Sequence, residues 1–222
     1  VGSEMCIRDS TNTLEETNFS GWNIVAPAAH DFYWIGGTGS WSDTAHWSTS
    51  SGGPVFGCLP SKIDNVIFDE NSFTTGSDVV TLDQHAEVVN MTWMDGIAGN
   101  PTFNGGQILN ILGDLTISDT MTYSQSHELR LYGSLTLFEG MTWNHNHWTR
   151  FYSDSTGNTI DPAGNSFIYH IHFNGDGDWT LQDDLIMPFN YVTYIEKGTF
   201  ISGGQRMDFG QQMYSCLLYT SD

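Results

Sequence analysis

The sequence predicts an all-β chain wound as a single-stranded β-solenoid with an aromatic cap at its N-terminal end. Three observations lead there. Helix formers are scarce: the 222 residues hold only 6 Lys and Arg, against 24 Gly and an aromatic share of 14%, a balance that favours strands and turns over helices. An internal repeat is visible: Leu109, Ile111, Gly113, Leu115, Ile117, Met121 and Tyr123 return as Leu129, Leu131, Gly133, Leu135, Leu137, Met141 and Trp143, each pair 20 positions apart. Within each unit the apolar residues hold every second position, the pattern of strands with one buried face. Twenty residues suit one small coil of a solenoid, in which each coil buries its face against its neighbours. A β-sandwich or an antiparallel meander is the alternative; the constant inward register favours stacked coils.

The elements follow in chain order. Residues 11–30 show no period and read as a linker or the end of a preceding module. From 31 to 53 runs a tryptophan cluster, with Trp34, Trp41 and Trp47 around Gly36, Gly37 and Gly39. Glycines so close together mark tight turns. The rings either close the end of the β-structure or stand exposed as a carbohydrate platform. Val66 and Phe68 share one face of a strand. Val79–Asp83 and Ala86–Trp93 read as further strands, the latter ending in Met91-Thr92-Trp93, which matches the Met-Thr-aromatic of the repeat. After the two regular units, Phe151 keeps the spacing of 20 while Ser153 replaces the glycine. Strand character resumes at Phe167–Phe173, Trp179–Leu181, Tyr191–Ile201 and Met207–Phe209, with Gly175, Gly177, Gly198, Gly203 and Gly204 as corners. The solenoid domain is thus expected over 31–215.

Both ends read differently. Val1-Gly2-Ser3-Glu4-Met5-Cys6-Ile7-Arg8-Asp9-Ser10 back-translates to a sequence resembling a transposase-type library adapter. Cys216-Leu217-Leu218-Tyr219-Thr220-Ser221-Asp222 back-translates to the reverse complement of the same element. Residues 1–10 and 216–222 are therefore expected to be adapter artefact, and the natural part a fragment whose flanking domains are missing. Those ends carry Arg8 against Glu4, Asp9 and Asp222, so the net charge of −20 becomes −18 without them. Such a charge argues against nucleic acid and against docking on anionic lipid. No apolar run reaches the length of a membrane span. With Cys6 and Cys216 set aside, Cys58 is expected to stand alone.

Tyr33-Trp34-Ile35-Gly36-Gly37-Thr38-Gly39-Ser40-Trp41-Ser42-Asp43 with His46-Trp47, followed by Asp64-Asn65-Val66-Ile67-Phe68-Asp69, resembles the opening of large secreted surface proteins of Bacteroidetes. Similar openings head the passenger regions of autotransporter-like adhesins. Phe173-Asn174-Gly175 with Trp179-Thr180-Leu181-Gln182-Asp183 is similar to a later block of those proteins, and Gly198-Thr199-Phe200 with Gly203-Gly204 to the next coil. The resemblance covers roughly 32–210. It implies a right-handed β-helix-like solenoid, exported and displayed at the cell surface. Asp176 and Asp178 depart from it, since small residues are usual there.

Four sets of residues could carry chemistry. His145 with His147, and His170 with His172, form two His-x-His pairs 25 positions apart; stacked coils could bring four imidazoles around Zn²⁺ or Cu²⁺. The plainer reading is a set of solvent-facing histidines. Asn174, Asp176 and Asp178 place oxygens at alternate positions, as in the start of a calcium loop; the EF-hand form fails at Trp179 and Leu185. Asp183 and Asp184 are adjacent and point to opposite faces, so they cannot flank a scissile glycosidic bond, and no catalytic residue is assigned. Trp34, Trp41 and Trp47 remain the candidate glycan contacts. The expected role is a non-catalytic structural or adhesive module of an exported bacterial surface protein, without a required cofactor and with glycans or cell-surface components as partners. A carbohydrate-binding module is the alternative, and a polysaccharide lyase or hydrolase is the third reading.

Overall fold

A computed structural model describes residues 28–215. The segments read as adapter, 1–10 and 216–222, and most of the 11–30 segment lie outside the described residues.

The short strands stack into three long sheets. The first has nine strands, in the order Thr199–Ile201, Asp178–Leu181, Asn158–Asp161, Leu135–Thr136, Leu115–Ile117, Met91–Trp93, Asn65–Phe68, Asp31–Trp34 and Trp47–Ser48. The second has five, from Thr142–Trp143 through Thr122–Gln125, Thr102–Gly105 and Val79–Leu82 to Gly39–Ser40. The third has seven, from Gln212–Ser215 through Val192–Ile195, Ile171–Phe173, Thr149–Phe151, Leu129–Leu131 and Leu109–Ile111 to Ala86–Val88. Leu185–Met187 pairs with Met207–Phe209, and Ser166 bridges to Ile186. The chain visits the sheets in turn, so each strand pairs in parallel with its counterpart one coil away. This is a β-solenoid, and the meander and sandwich alternatives fall away. Among the described residues the only helical segment is the 3-10 turn Thr44–His46.

The 20-residue repeat is the coil. Leu109 aligns with Leu129 and Leu129 with Thr149; Leu115 aligns with Leu135, and Tyr123 with Trp143. Elsewhere the coils are longer: Val66 aligns with Met91 and Leu135 with Ile160, 25 positions in each case. The extra residues sit in the corners, because lengthening a strand by one residue would turn its apolar set outward.

The inward positions form columns. Phe103, Tyr123, Trp143 and Phe167 lie one above another, with centroid separations of 5.4, 4.6 and 5.7 Å. Phe68 stacks on Trp93 at 3.9 Å, and Phe151 on Phe173 at 4.8 Å. These rings join Leu109, Leu115, Leu129, Leu131 and Leu135, all fully buried, in one continuous core. Each such side chain contributes about 1.5–3 kcal/mol by leaving water.

The corners are sealed by side chains. Asn65 donates to Asp31 (2.7 Å) and Asn90 to Asn65 Oδ1 (2.9 Å). The Asp114 N–H donates to Asn90 Oδ1 (2.8 Å), Ser134 N–H to Asp114 Oδ1 (2.7 Å), and Thr159 N–H to Ser134 Oγ (3.1 Å). One polar ladder thus links six successive strands of the first sheet along a single corner.

The tryptophan cluster is a cap. Asp31–Trp34 pairs antiparallel with Trp47–Ser48 at the end of the first sheet. Trp34, Trp41 and Trp47 are at most 1% exposed. Trp34 Nε1 donates to Gly37 O (2.7 Å) and Trp47 Nε1 to Trp41 O (2.9 Å). Gly36 and Gly37 take φ of +84° and +77°, which lets the loop fold back over Trp34. The exposed glycan platform expected as one reading of these rings is therefore corrected: they are core, and offer no face to a ligand. Cys58 is corrected too. It is buried and disulfide-bonded.

Coil stacking predicts a sharp contrast between glycines. A Cβ on Gly133 would lie 2.6 Å from the backbone of Gly113 one coil below, whereas on Gly106 it would meet only Ser126 Oγ at 3.6 Å. Gly133→Ala should lower the denaturant midpoint markedly, by about 2–3 kcal/mol of stability. Gly106→Ala should change it by less than about 1 kcal/mol. Equal effects would mean that the two corners are packed alike.

Candidate functional site

The outward positions also form columns, and the richest lies on the third sheet. At the centre of each strand the outward residue runs, in register, Glu87, Asn110, Arg130, Arg150, His172, Tyr194 and Tyr214. The same 20-residue spacing that aligns leucines inside aligns Arg130 with Arg150 outside.

Glu128 lies between the two arginines. Arg130 Nε reaches it at 2.8 Å and Arg150 Nε at 3.2 Å. Burial alone would raise the Glu128 pKa; the hydrogen bond from Arg130 and the charges of both arginines prevail and hold it below the usual carboxylate range. Arg150 is held on two further sides. Its guanidinium lies 4.6 Å over the Trp148 ring, and its NH1 donates to His172 Nδ1 at 2.6 Å. Accepting there leaves the His172 proton on Nε2, which faces Glu196 Oε2 at 3.2 Å. Burial and the Arg150 charge outweigh Glu196, and the His172 pKa is lowered. The ring is thus neutral near pH 7.

Aromatic rings surround this network. Trp148 is 4.8 Å from His170 and 5.5 Å from Tyr194, tilted by 32° and 46°. Tyr169 is 5.5 Å from Tyr191, tilted by 39°, and Tyr132 is 5.6 Å from Tyr152, tilted by 32°. Tyr132 and Tyr214 are 36% and 50% exposed; the others are half-buried.

Of the four histidines expected to meet around a metal, three reach this face and one does not. His145 is 1% exposed and follows Thr142–Trp143, where buried and exposed residues go on alternating, so it keeps the inward parity of Met141 and Trp143. Its Nδ1 is 3.0 Å from Gln125 O and its Nε2 3.2 Å from Trp148 O. His147 stacks on His127 (5.0 Å) and Tyr169 (5.6 Å), and His170 Nδ1 accepts from the Val192 N–H (3.0 Å). Among the described residues no three His, Cys, Asp or Glu side chains converge as a metal site. The four-imidazole reading is corrected accordingly.

The calcium reading fails for the same reason. Asp178 Oδ1 accepts from the Gly157 N–H (2.6 Å), and the exposed Asp176 carboxylate lies 4.0 Å from Lys197 Nζ. Asn174 extends the third-sheet ladder, its N–H donating to Phe151 O (2.9 Å). Asp183 and Asp184 are corner caps as well, accepting from the Gly164 N–H (2.7 Å) and the Arg206 N–H (2.8 Å).

Sequence reasoning missed Arg130, Arg150, Trp148, Tyr169, Tyr191 and Tyr194 as a group. A signal existed: His127/His147, Arg130/Arg150 and Tyr132/Tyr152 all keep the 20-residue spacing. No family model matches the chain, and neither the curated proteins nor the solved structures include a match to it.

His145 predicts an acid-sensitive fold. Burial pushes its pKa down to about 4, while the unfolded chain protonates near the ordinary value of about 6.5. Stability is therefore whole above about pH 6.5 and is lost as pH falls toward 4, by roughly 1.4 kcal/mol per pH unit. His145→Gln should flatten the pH dependence of the denaturant midpoint across that window by about one proton. A slope unchanged by the substitution would mean that this ring is not buried neutral.

Proposed function

We propose that this chain is a non-catalytic structural and adhesive module of a large exported bacterial surface protein. The single continuous core carries this reading. Successive coils interlock through inward columns and corner ladders, which makes a stiff body; seven coils at about 4.8 Å each give about 34 Å of length. Such a body holds a lateral face at a fixed distance from its anchoring point. The acidic residues that an enzyme would need in a cleft are engaged at corners: Asp114, Asp178, Asp183 and Asp184 each accept a backbone N–H. The resemblance of Tyr33–Asp43 and Asp64–Asp69 to surface proteins of Bacteroidetes supports export and display.

The test is cellular. Antibody raised against the chain should label intact, unpermeabilised cells of the organism that carries the gene, and external protease should remove the label. Labelling that appears only after permeabilisation would overturn the reading. Release of reducing ends from soluble polysaccharides, abolished by Asp183→Asn or Asp184→Asn, would replace it with a glycan-active enzyme.

A further inference from the structure

We infer that the outer face of the third sheet, from Arg130 to Tyr214, is an elongated binding site for a neutral polysaccharide chain lying along the solenoid axis. The inference rests on the surface-module reading above and names the ligand class that such a module would hold.

The first argument is shape. The face repeats with the coils: five strands, from Leu129–Leu131 to Gln212–Ser215, span about 19 Å at the rung spacing of ~4.8 Å. One rung is close to the length of a sugar ring in an extended chain, so a linear polymer meets a similar set of groups at each step. A folded protein partner would be met better by one central apolar patch with a polar rim. Here polar and aromatic groups are spread along the face, with Arg130 and Arg150 toward one end and Tyr194 and Tyr214 toward the other.

The second argument is chemistry. Sugars are bound by aromatic rings against their C–H faces and by planar polar groups that bridge neighbouring hydroxyls. Both kinds are present and interleaved. Trp148, Tyr194, Tyr169 and Tyr191 pair at tilts of 46° and 39° and are each only half-buried, so part of each ring stays accessible. Glu128 and Arg150 supply an acceptor and donors already held in place by one another and, for Arg150, by the buried His172, which lowers the ordering cost of binding.

The third argument is charge. Arg130 and Arg150 are both engaged by Glu128, and Glu87 and Glu196 flank them. With His172 neutral, the two arginines are balanced by Glu128 and Glu196 and the face has no excess of positive charge, while the chain as a whole is at −20. A uronate or sulfated polymer would be repelled, and a neutral one would not.

The experiment uses the full chain and calorimetric titration with cellohexaose, xylohexaose and mannohexaose, with hexagalacturonate as the acidic control. At least one neutral hexaose should bind and quench tryptophan emission. Trp148→Ala and Tyr194→Ala should each weaken it by about tenfold, with far-ultraviolet dichroism and melting temperature retained in at least one of them. Met94→Ala, 39% exposed and directly after the first-sheet strand Met91–Trp93, should leave it unchanged. Absence of binding to all three neutral probes, or binding only to hexagalacturonate, overturns the inference. So does binding untouched by either aromatic substitution, or saturable cell binding that protease treatment of the target abolishes, which would indicate a protein partner. Cell-surface labelling without glycan binding removes this site and keeps the module; glycan binding without surface labelling does the reverse.

Discussion

Parallel strands set about 4.8 Å apart place equivalent positions of successive coils directly over one another. Almost every feature of this molecule follows from that spacing. An inward position must be filled by a side chain whose neighbours above and below are the same position in other coils, so columns form: Phe103 on Tyr123 on Trp143, Phe151 on Phe173. A ring in such a column is covered on both flat sides by rings and laterally by the other two sheets. The two ends of the stack lack one neighbour each. At the N-terminal end the hairpin of Asp31–Trp34 and Trp47–Ser48 supplies the cover, with Trp41 and Phe56 closing over it.

The same spacing explains the acidity. A coil turns three corners, and at each the chain leaves a strand with backbone N–H groups that no sheet partner accepts. Buried or half-buried donors of this kind need an acceptor. A short carboxylate or amide one coil away supplies it, as Asp114 does for Ser134, Asp154 for Asp176 and Asp184 for Arg206. Asp78, only 4% exposed, accepts from the N–H groups of both Thr74 (2.7 Å) and Thr75 (2.6 Å). Burial opposes ionisation there, yet these hydrogen bonds and that from Thr38 prevail and lower the pKa. Negative charge accumulates because each coil repeats the need, and lysine or arginine cannot meet it: neither side chain is an acceptor.

What could be read in the sequence, and what could not, divides along the same line. Leu109 to Tyr123 and Leu129 to Trp143 announced both the coil and its inward face, because apolar periodicity is a local signal. The cap was legible as an aromatic cluster, but its burial was not, since three tryptophans between glycines fit an exposed platform as well. The histidines failed for a geometric reason. His145 keeps the odd, inward parity of Met141 and Trp143 and so joins the core over the buried Gln125, its Nδ1 beside Gln125 O, which takes it away from the outward-facing histidines. The outer network of Glu128, Arg150, Trp148 and His172 joins residues from neighbouring coils whose alignment is 22 positions rather than 20 at the Arg150–His172 step. That change of register hides the column from a search at one fixed period.

The two faces of each strand therefore answer to different physics. Inward residues are mostly bulky apolar side chains, and some of their polar atoms are sacrificed: the indole N–H groups of Trp93, Trp143 and Trp179 have no partner, a cost of about 1–3 kcal/mol each that the area buried by each ring offsets. Most outward residues are under less demand, because they reach water; Asn110 and His172, each 7% exposed, are exceptions. Tyr, Trp, Arg and His in one continuous outward column are thus not required by the fold. The second sheet makes the comparison within the same molecule: its outward positions in successive coils are Asn104, Ser124 and Asn144, short polar side chains that do no more than face water. Both sheets have the same rung spacing, so the coil geometry does not account for the difference between them.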